Sequence, residues 1–220
     1  MRWLSGRGCR FGFDRVWSSV SISKQIMETP TTLEFLGPYS WHGAPDAPSV
    51  FTAPIASQPG IYLWTIALPD GYATYYVGET SRSFARRMEE HFREHAACMY
   101  TLYEPAQFAS GIKVKLWPGR LGKEKRSIAE CVAQSVVFAP QIAATTQLFR
   151  FFLAPTTCDE RTRQRAESGI ADCLYNTPGM IGDFQDKGIR YCRRKATEKP
   201  LQFSIRSSSR LMGIPAEVLG

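Results

Sequence analysis

The sequence predicts an α+β domain with an antiparallel hairpin at its centre, and three observations carry that expectation. Residues 61–68 and 72–77 are β-branched and aromatic runs separated by Pro69-Asp70-Gly71. Phe84, Met88 and Phe92 follow at helical spacing. Residues 147–153 form another apolar run, after which Thr157-Cys158-Asp159-Glu160 fits a capping box. The composition agrees: 220 residues, 44% hydrophobic and 21% charged, suit one globular domain with appendages. No run approaches the roughly 20 apolar residues of a membrane helix, so no membrane span is expected.

The elements are justified in chain order. Residues 1–26 are rich in Arg and Ser and lack the apolar run of a signal peptide. They read as a flexible arm, an over-long start before Met27, or an organellar address. Residues 28–59 hold many Pro, Ser, Thr and Ala, and predict irregular structure with one short strand. In the hairpin turn Pro69 sets φ, Asp70 bonds its own backbone and Gly71 tolerates positive φ. Ser83 is the N-cap of a helix running to about Cys98. A strand is expected at 112–117 and a helix at 123–136, ended by Pro140. The helix opened by the capping box runs to about Leu174 and stops at Asn176-Thr177-Pro178-Gly179. The resulting organisation is an N-terminal extension (1–57), a core (58–180) with an insertion at about 99–146, and a basic tail (181–220), ordered only in part.

Charge is unevenly placed. The net +7 hides a middle, residues 27–186, with 14 basic against 17 acidic side chains. Residues 187–210 carry eight Lys or Arg against Glu198 alone. An anionic partner is implied, gripped by the flanks. The six cysteines form no C-x-x-C pair. They read as reduced thiols of a cytoplasmic protein.

Several polar side chains occupy positions that packing alone does not explain. Gly60-Ile61-Tyr62 opens the hairpin and Tyr76-Val77-Gly78 closes it. A tyrosine near each outer end lets two phenols converge across the strands, beside glycines that permit close backbone approach. Arg87 and His91 follow the stripe that Phe84 marks as buried. A buried Arg must be paired or bind an anion, and its planar fork suits phosphate; pairing with Glu90 or Glu94 on a solvated face is the plainer alternative. Glu167 lies one turn before Ile170 on an apolar stripe, where a carboxylate requires a buried Arg or a divalent metal. Asn176 follows at the helix end, where it also reads as a simple turn residue.

In this order, Gly60-Ile61-Tyr62, Tyr76-Val77-Gly78-Glu79-Thr80, Phe84-x-x-Arg87-x-x-x-His91-Phe92, Glu167 and Asn176 resemble the GIY-YIG endonuclease family over residues 58–178. The resemblance implies a small antiparallel three-stranded sheet flanked by helices. It also implies Mg²⁺- or Mn²⁺-dependent hydrolysis of DNA phosphodiesters. Under it Tyr62 activates water or takes its proton, Tyr76 orients water and phosphate, and Arg87 neutralises the scissile phosphate. His91 assists proton transfer, Glu167 is the carboxylate ligand of the metal, and Asn176 helps to hold the site. Counting from Gly78 would select Arg86 instead, whereas the spacings to Phe84 and His91 select Arg87. Residues 99–146 are an insertion relative to that pattern. DNA is the expected partner, met by Arg87 locally and by Arg190, Arg193, Arg194 and Lys195 in the tail; no protein partner is assigned.

Two rival readings compete. His91-Phe92-Arg93-Glu94-His95 spells H-x-x-E-H, a zinc peptidase pattern in which two histidines one helical turn apart hold zinc. The other is a non-catalytic nucleic-acid-binding module with a degenerate nuclease core.

Overall fold

A computed structural model describes residues 30–120, 124–186 and 188–220. The Arg- and Ser-rich segment 1–26 lies outside the described residues, as does Lys187 of the basic tail. In chain order the elements are β1 (Thr31–Tyr39), β2 (Gly60–Leu68), β3 (Gly71–Thr80), α1 (Phe84–Ala96), β4 (Leu102–Tyr103), α2 (Pro105–Ala109), β5 (Lys115–Trp117) and α3 (Ile128–Val137). They continue with α4 (Ala139–Leu148), β6 (Phe149–Pro155), α5 (Glu160–Asn176), α6 (Met180–Phe184), β7 (Gln202–Ser207), β8 (Leu211–Met212) and β9 (Glu217–Leu219).

The α+β class stands, but the expected small three-stranded sheet is corrected. Among the described residues one seven-stranded mixed sheet runs β8-β3-β2-β6-β1-β7-β9 and curls into a half-barrel. The antiparallel block β3-β2-β6 lies inside it. The other four strands come from the segments expected to be irregular. In β1, Leu33 and Phe35 are buried while Thr32, Glu34 and Leu36 alternate outward. In the tail, β7 pairs in parallel with β1 and antiparallel with β9, burying Phe203 and Val218. The short alternations were hidden by the surrounding Pro, Ser and basic residues. A partner strand about 170 residues away supplies the hydrogen bonds that local propensity does not.

Strand β2 is buried on both faces and reads accordingly as a near-continuous apolar run. Its pairing with β3 shifts register between Trp64 and Thr65, because Trp64 opposes Tyr76 whereas Thr65 opposes Thr74. Tyr75 is the extra residue of this bulge, and Tyr75 and Tyr76, though adjacent in sequence, line the same cavity.

Helix α1 begins where expected: the Ser83 side chain accepts from the Arg86 N–H. The expected capping box is corrected at α5: Asp159 rather than Thr157 is the cap, accepting from the Thr162 N–H, so Glu160 opens the helix instead of closing a box. Helix α5 packs against β3 and β9. Pro140 does not end a helix; it lies in the first turn of α4, where its missing N–H has no intrahelical partner to lose. The strand expected at 112–117 is shorter, and pairs with β4 in a separate two-stranded sheet. Among the described residues no single helix is long and apolar enough to cross a membrane.

Candidate active site

The two hairpin tyrosines meet, though diagonally. Tyr62 stands directly opposite Gly78, and Tyr76 opposite Trp64. The Tyr62 and Tyr76 ring centroids are 6.1 Å apart. The glycines explain themselves here. A Cβ on Gly78 would stand 2.3 Å from the Tyr62 ring and hydroxyl, so the second glycine makes room for the first tyrosine. At Gly60, with φ +154°, a Cβ would stand 2.1 Å from the Ala154 carbonyl oxygen.

Helix α1 delivers Arg87 and His91 to Tyr62. Arg87 Nε donates to the Tyr62 hydroxyl at 3.2 Å, and that hydroxyl lies 2.8 Å from His91 Nε2. Arg86 instead faces solvent, 3.6 Å from Glu90. Arg87 Nη1 also pairs with Glu90 at 3.2 Å, while its Nη2 makes no hydrogen bond among the described residues. Burial opposes the Arg87 charge, but the Tyr62 phenol and Glu90 outweigh it and hold the guanidinium protonated.

His91 continues the chain of contacts. Its Nδ1 lies 2.7 Å from the Tyr100 hydroxyl, and that hydroxyl donates to Glu94. Directions follow from proton counting. Tyr100 has one O–H, spent on the carboxylate, so its oxygen accepts from His91 Nδ1–H. Burial, reinforced by Arg87, pushes the His91 pKa down to about 3. A neutral imidazole has a single N–H, so Nε2 must accept from the Tyr62 O–H. The row Arg87–Tyr62–His91–Tyr100–Glu94 is therefore polarised from end to end.

Glu167 arrives from α5. Its Oε1 accepts from the Glu79 backbone N–H at 3.1 Å, one residue beyond Gly78. The Glu79 side chain turns away to Arg163, Nε to Oε2 at 3.1 Å, an ion pair one helical turn before Glu167. Burial and the neighbouring Glu79 charge raise the Glu167 pKa to about 7. Glu167 in turn helps raise both phenols: Tyr62 goes well above its ordinary value, chiefly by burial, and Tyr76 to about 12.

Asn176 is not brought to this cluster. It ends α5, exposed, with its side-chain nitrogen donating to the Asp172 carbonyl. Nine residues at 1.5 Å each put it about 13 Å along the helix from Glu167. The tail cations are exposed and mixed in their pairing. Arg193 holds Asp172 at 2.6 Å and Arg194 donates to the Glu198 carbonyl. The Arg190 and Lys195 side chains make no hydrogen bond among the described residues.

Sequence reasoning missed Tyr100 and Arg163, and met Glu94 only as a candidate partner of Arg87 and within the H-x-x-E-H pattern. Tyr100 belongs to the insertion and carries no motif. Arg163 had a usable signal, since it lies four residues before Glu167 on one helical face. In the H-x-x-E-H segment the two histidines do not face a common point: both His91 nitrogens are taken by phenols, and His95 is buried beside Trp41 and Phe149. Among the described residues no three His, Cys, Asp or Glu side chains gather as a metal site.

A single carboxylate is nonetheless a donor set that suits Mg²⁺, which binds through one or two carboxylates and fills its shell with water and phosphate oxygens. Glu167 has one oxygen anchored by a backbone N–H and no ion-pair partner among the described residues, and burial with the Glu79 charge outweighs the more distant Arg87 to raise its pKa. A divalent cation fits there.

A cavity of about 570 Å³ opens directly beside the cluster, with Tyr76, Arg87 and His91 in its wall. No protein-family model matches the chain, and no curated protein or solved structure matches it either.

Proposed function

We propose that this chain is a metal-dependent endonuclease that hydrolyses DNA phosphodiester bonds at the Tyr62–Tyr76–Arg87–His91–Glu167 cluster, in the manner of GIY-YIG enzymes. The observation that carries this reading is the Tyr62 phenol, held between a charged guanidinium and a neutral imidazole next to an unpaired carboxylate. A packed core has no use for that set; hydrolysis of a phosphate ester uses every member.

Arg87 binds the scissile phosphate through its free Nη2 and by exchanging Glu90 for the stronger anion. Tyr62 is only 1% exposed, so the substrate reaches the phenol when Arg87 swings outward onto phosphate. Glu167 would hold the divalent cation, which supplies charge stabilisation on the phosphate and a more acidic water. Tyr62 takes the proton of the attacking water while passing its own to His91 Nε2. His91 releases its Nδ1 proton to Tyr100, and Tyr100 releases its own to Glu94, which is partly exposed to solvent. The imidazole changes tautomer without ever becoming a cation, which suits a histidine whose pKa lies near 3. Tyr76 lines the approach and orients the phosphate.

The test is nicking of supercoiled plasmid with Mg²⁺ or Mn²⁺. Wild-type protein nicks; Arg87→Ala and Glu167→Ala lose about 10²-fold or more in rate. Plasmid binding with no nicking under either metal overturns the reading. A thermal melt reads the Glu167 site separately. Its pKa is raised from an ordinary 4.5 to about 7, so the stability it leaves intact in acid is lost as pH rises through 7. Glu167→Gln therefore melts about 3–6 °C above wild type at pH 8.5 and level with it at pH 4. Mg²⁺ raises the melting temperature of wild type at pH 8.5, but not that of the variant.

A further inference from the structure

The cavity beside the cluster is larger than a phosphate needs, and apart from Tyr100 the insertion and the stretch after α6 line it with residues the catalytic cluster does not use. The insertion supplies Tyr100, Thr101, Tyr103 and Phe108, and the stretch after α6 supplies Gln185 and Tyr191. These close over Tyr75 and Tyr76, the two tyrosines that the β3 bulge brings to one side. Tyr76, Tyr100 and Tyr191 in its wall are partly exposed, whereas Phe108 stacks on the Tyr103 ring at 5.3 Å and Lys113 lies over the same ring and over Tyr75.

Gln185 gives the cavity a directed polar group. It is 7% exposed, and its side-chain nitrogen is spent on two carbonyls, Thr74 at 3.1 Å and Ile181 at 2.9 Å. Both partners are acceptors, so the amide orientation is settled and the oxygen is the atom left over. That oxygen makes no hydrogen bond among the described residues, and Gln185 stands in the cavity wall. Arg87, whose Nη2 makes no hydrogen bond among the described residues, lines the same cavity.

An aromatic slot with a hydrogen-bond acceptor in its wall and a guanidinium at its edge matches one chemical class: a nucleotide, its base stacked between rings and its phosphate on Arg87. We propose that this cavity receives a nucleobase extruded from the strand next to the scissile phosphate, favouring bases with an exocyclic amine that can donate to Gln185 Oε1. The proposal rests on the nuclease reading for the identity of the phosphate at Arg87. It gives the insertion a task, that of forming one wall of the base slot. The volume of about 570 Å³ is ample for a base with its sugar and falls within the usual range of small-molecule sites. Extrusion costs least where a base is already unpaired, so mismatched or branched DNA becomes the preferred substrate.

The experiment is calorimetric titration of the full chain in EDTA with deoxyadenosine 5′-monophosphate and, separately, 2-deoxyribose 5-phosphate. The two ligands share the phosphate and differ by the base. The base-bearing ligand is expected to bind about tenfold tighter or more, the range of one base–aromatic stack. Thymidine 5′-monophosphate, which lacks the amine, falls between them. Tyr100→Ala and Tyr191→Ala, wall residues from two different segments, each abolish most of the difference; a melting curve shows which variants keep the fold. Equal affinity for the two ligands, or binding of neither, overturns the proposal. Plasmid nicking run in parallel separates the two claims. Nicking without base-dependent binding removes the slot alone, and base-dependent binding without nicking removes the nuclease reading while the slot stands.

Discussion

Tyr62 is a base only if something takes its own proton, because burial raises its pKa and Arg87 only partly offsets that. His91 cannot store the proton as a cation, since its own pKa lies near 3. The contacts with Tyr100 and Glu94 solve this by letting the imidazole accept at one nitrogen and donate at the other. Tyr100→Phe cuts the relay while keeping the ring. It is expected to lower the nicking rate constant about 10²-fold with DNA affinity unchanged. Glu94→Gln, which keeps the shape of the terminus but no longer accepts the proton as an anion, is expected to lower the nicking rate constant by a similar factor. Unchanged rates in both variants would make Tyr100 a packing residue. Arg163 acts differently: it neutralises Glu79, so that Glu167 is the only carboxylate of the pair left without a cation.

Among the elements, the hairpin is shaped around one ring. Gly78 faces Tyr62 across the strand pair, and its missing Cβ is the space the phenol occupies. Gly78→Ala is expected to destabilise the fold by about 1–3 kcal/mol, the usual cost of overpacking, measured by urea denaturation. Because the ring must move, nicking should fall further than stability alone explains. A variant with wild-type rate and stability would show that the ring relocates freely. Helix α1 shows the same economy, burying Phe84, Met88, His91 and His95 on one face while keeping Arg87 at its border. The reading of α1 from its cap and its 3.6-residue spacing was sound, because both signals are local. The faces of β1 and β7 were harder, because each shows only two alternating apolar residues amid Pro, Ser or basic neighbours.

Across the molecule as a unit, the basic tail is part of the sheet. Strand β7 is bonded on both sides, and the Arg165 guanidinium holds the Lys199 and Gly220 carbonyls. Deleting residues 200–220 removes Phe203 and Val218 from the core and leaves β1 with an unpaired edge. Such a truncation is expected to melt without a cooperative transition, as circular dichroism would read. The contribution of the tail to DNA binding is therefore tested by charge rather than deletion. Arg190→Ala together with Lys195→Ala should reduce the slope of log affinity against log salt by about 0.9 for each phosphate no longer neutralised. An unchanged slope assigns the grip on DNA elsewhere. Not all of the tail's positive charge is free for DNA, since Arg193 is already paired to Asp172.

Local sequence is enough to specify the hairpin, the helix that follows it, the cap of α1, and the residue types at Tyr62, Tyr76, Arg87, His91 and Glu167. All of these follow from patterns a few residues long: turn chemistry, period two, period 3.6, and polar groups placed on apolar stripes. Only in the folded chain does the sheet gain seven strands, Tyr62 oppose Gly78 rather than Tyr76, and Asn176 stay outside the cluster. Folding also brings Tyr100 of the insertion between His91 and Glu94 and places Gln185 in the cavity wall. The physical reason is one of range. A hydrogen bond or an edge pairing between residues far apart in the chain leaves no periodic trace in either segment, because each partner satisfies its need in the other.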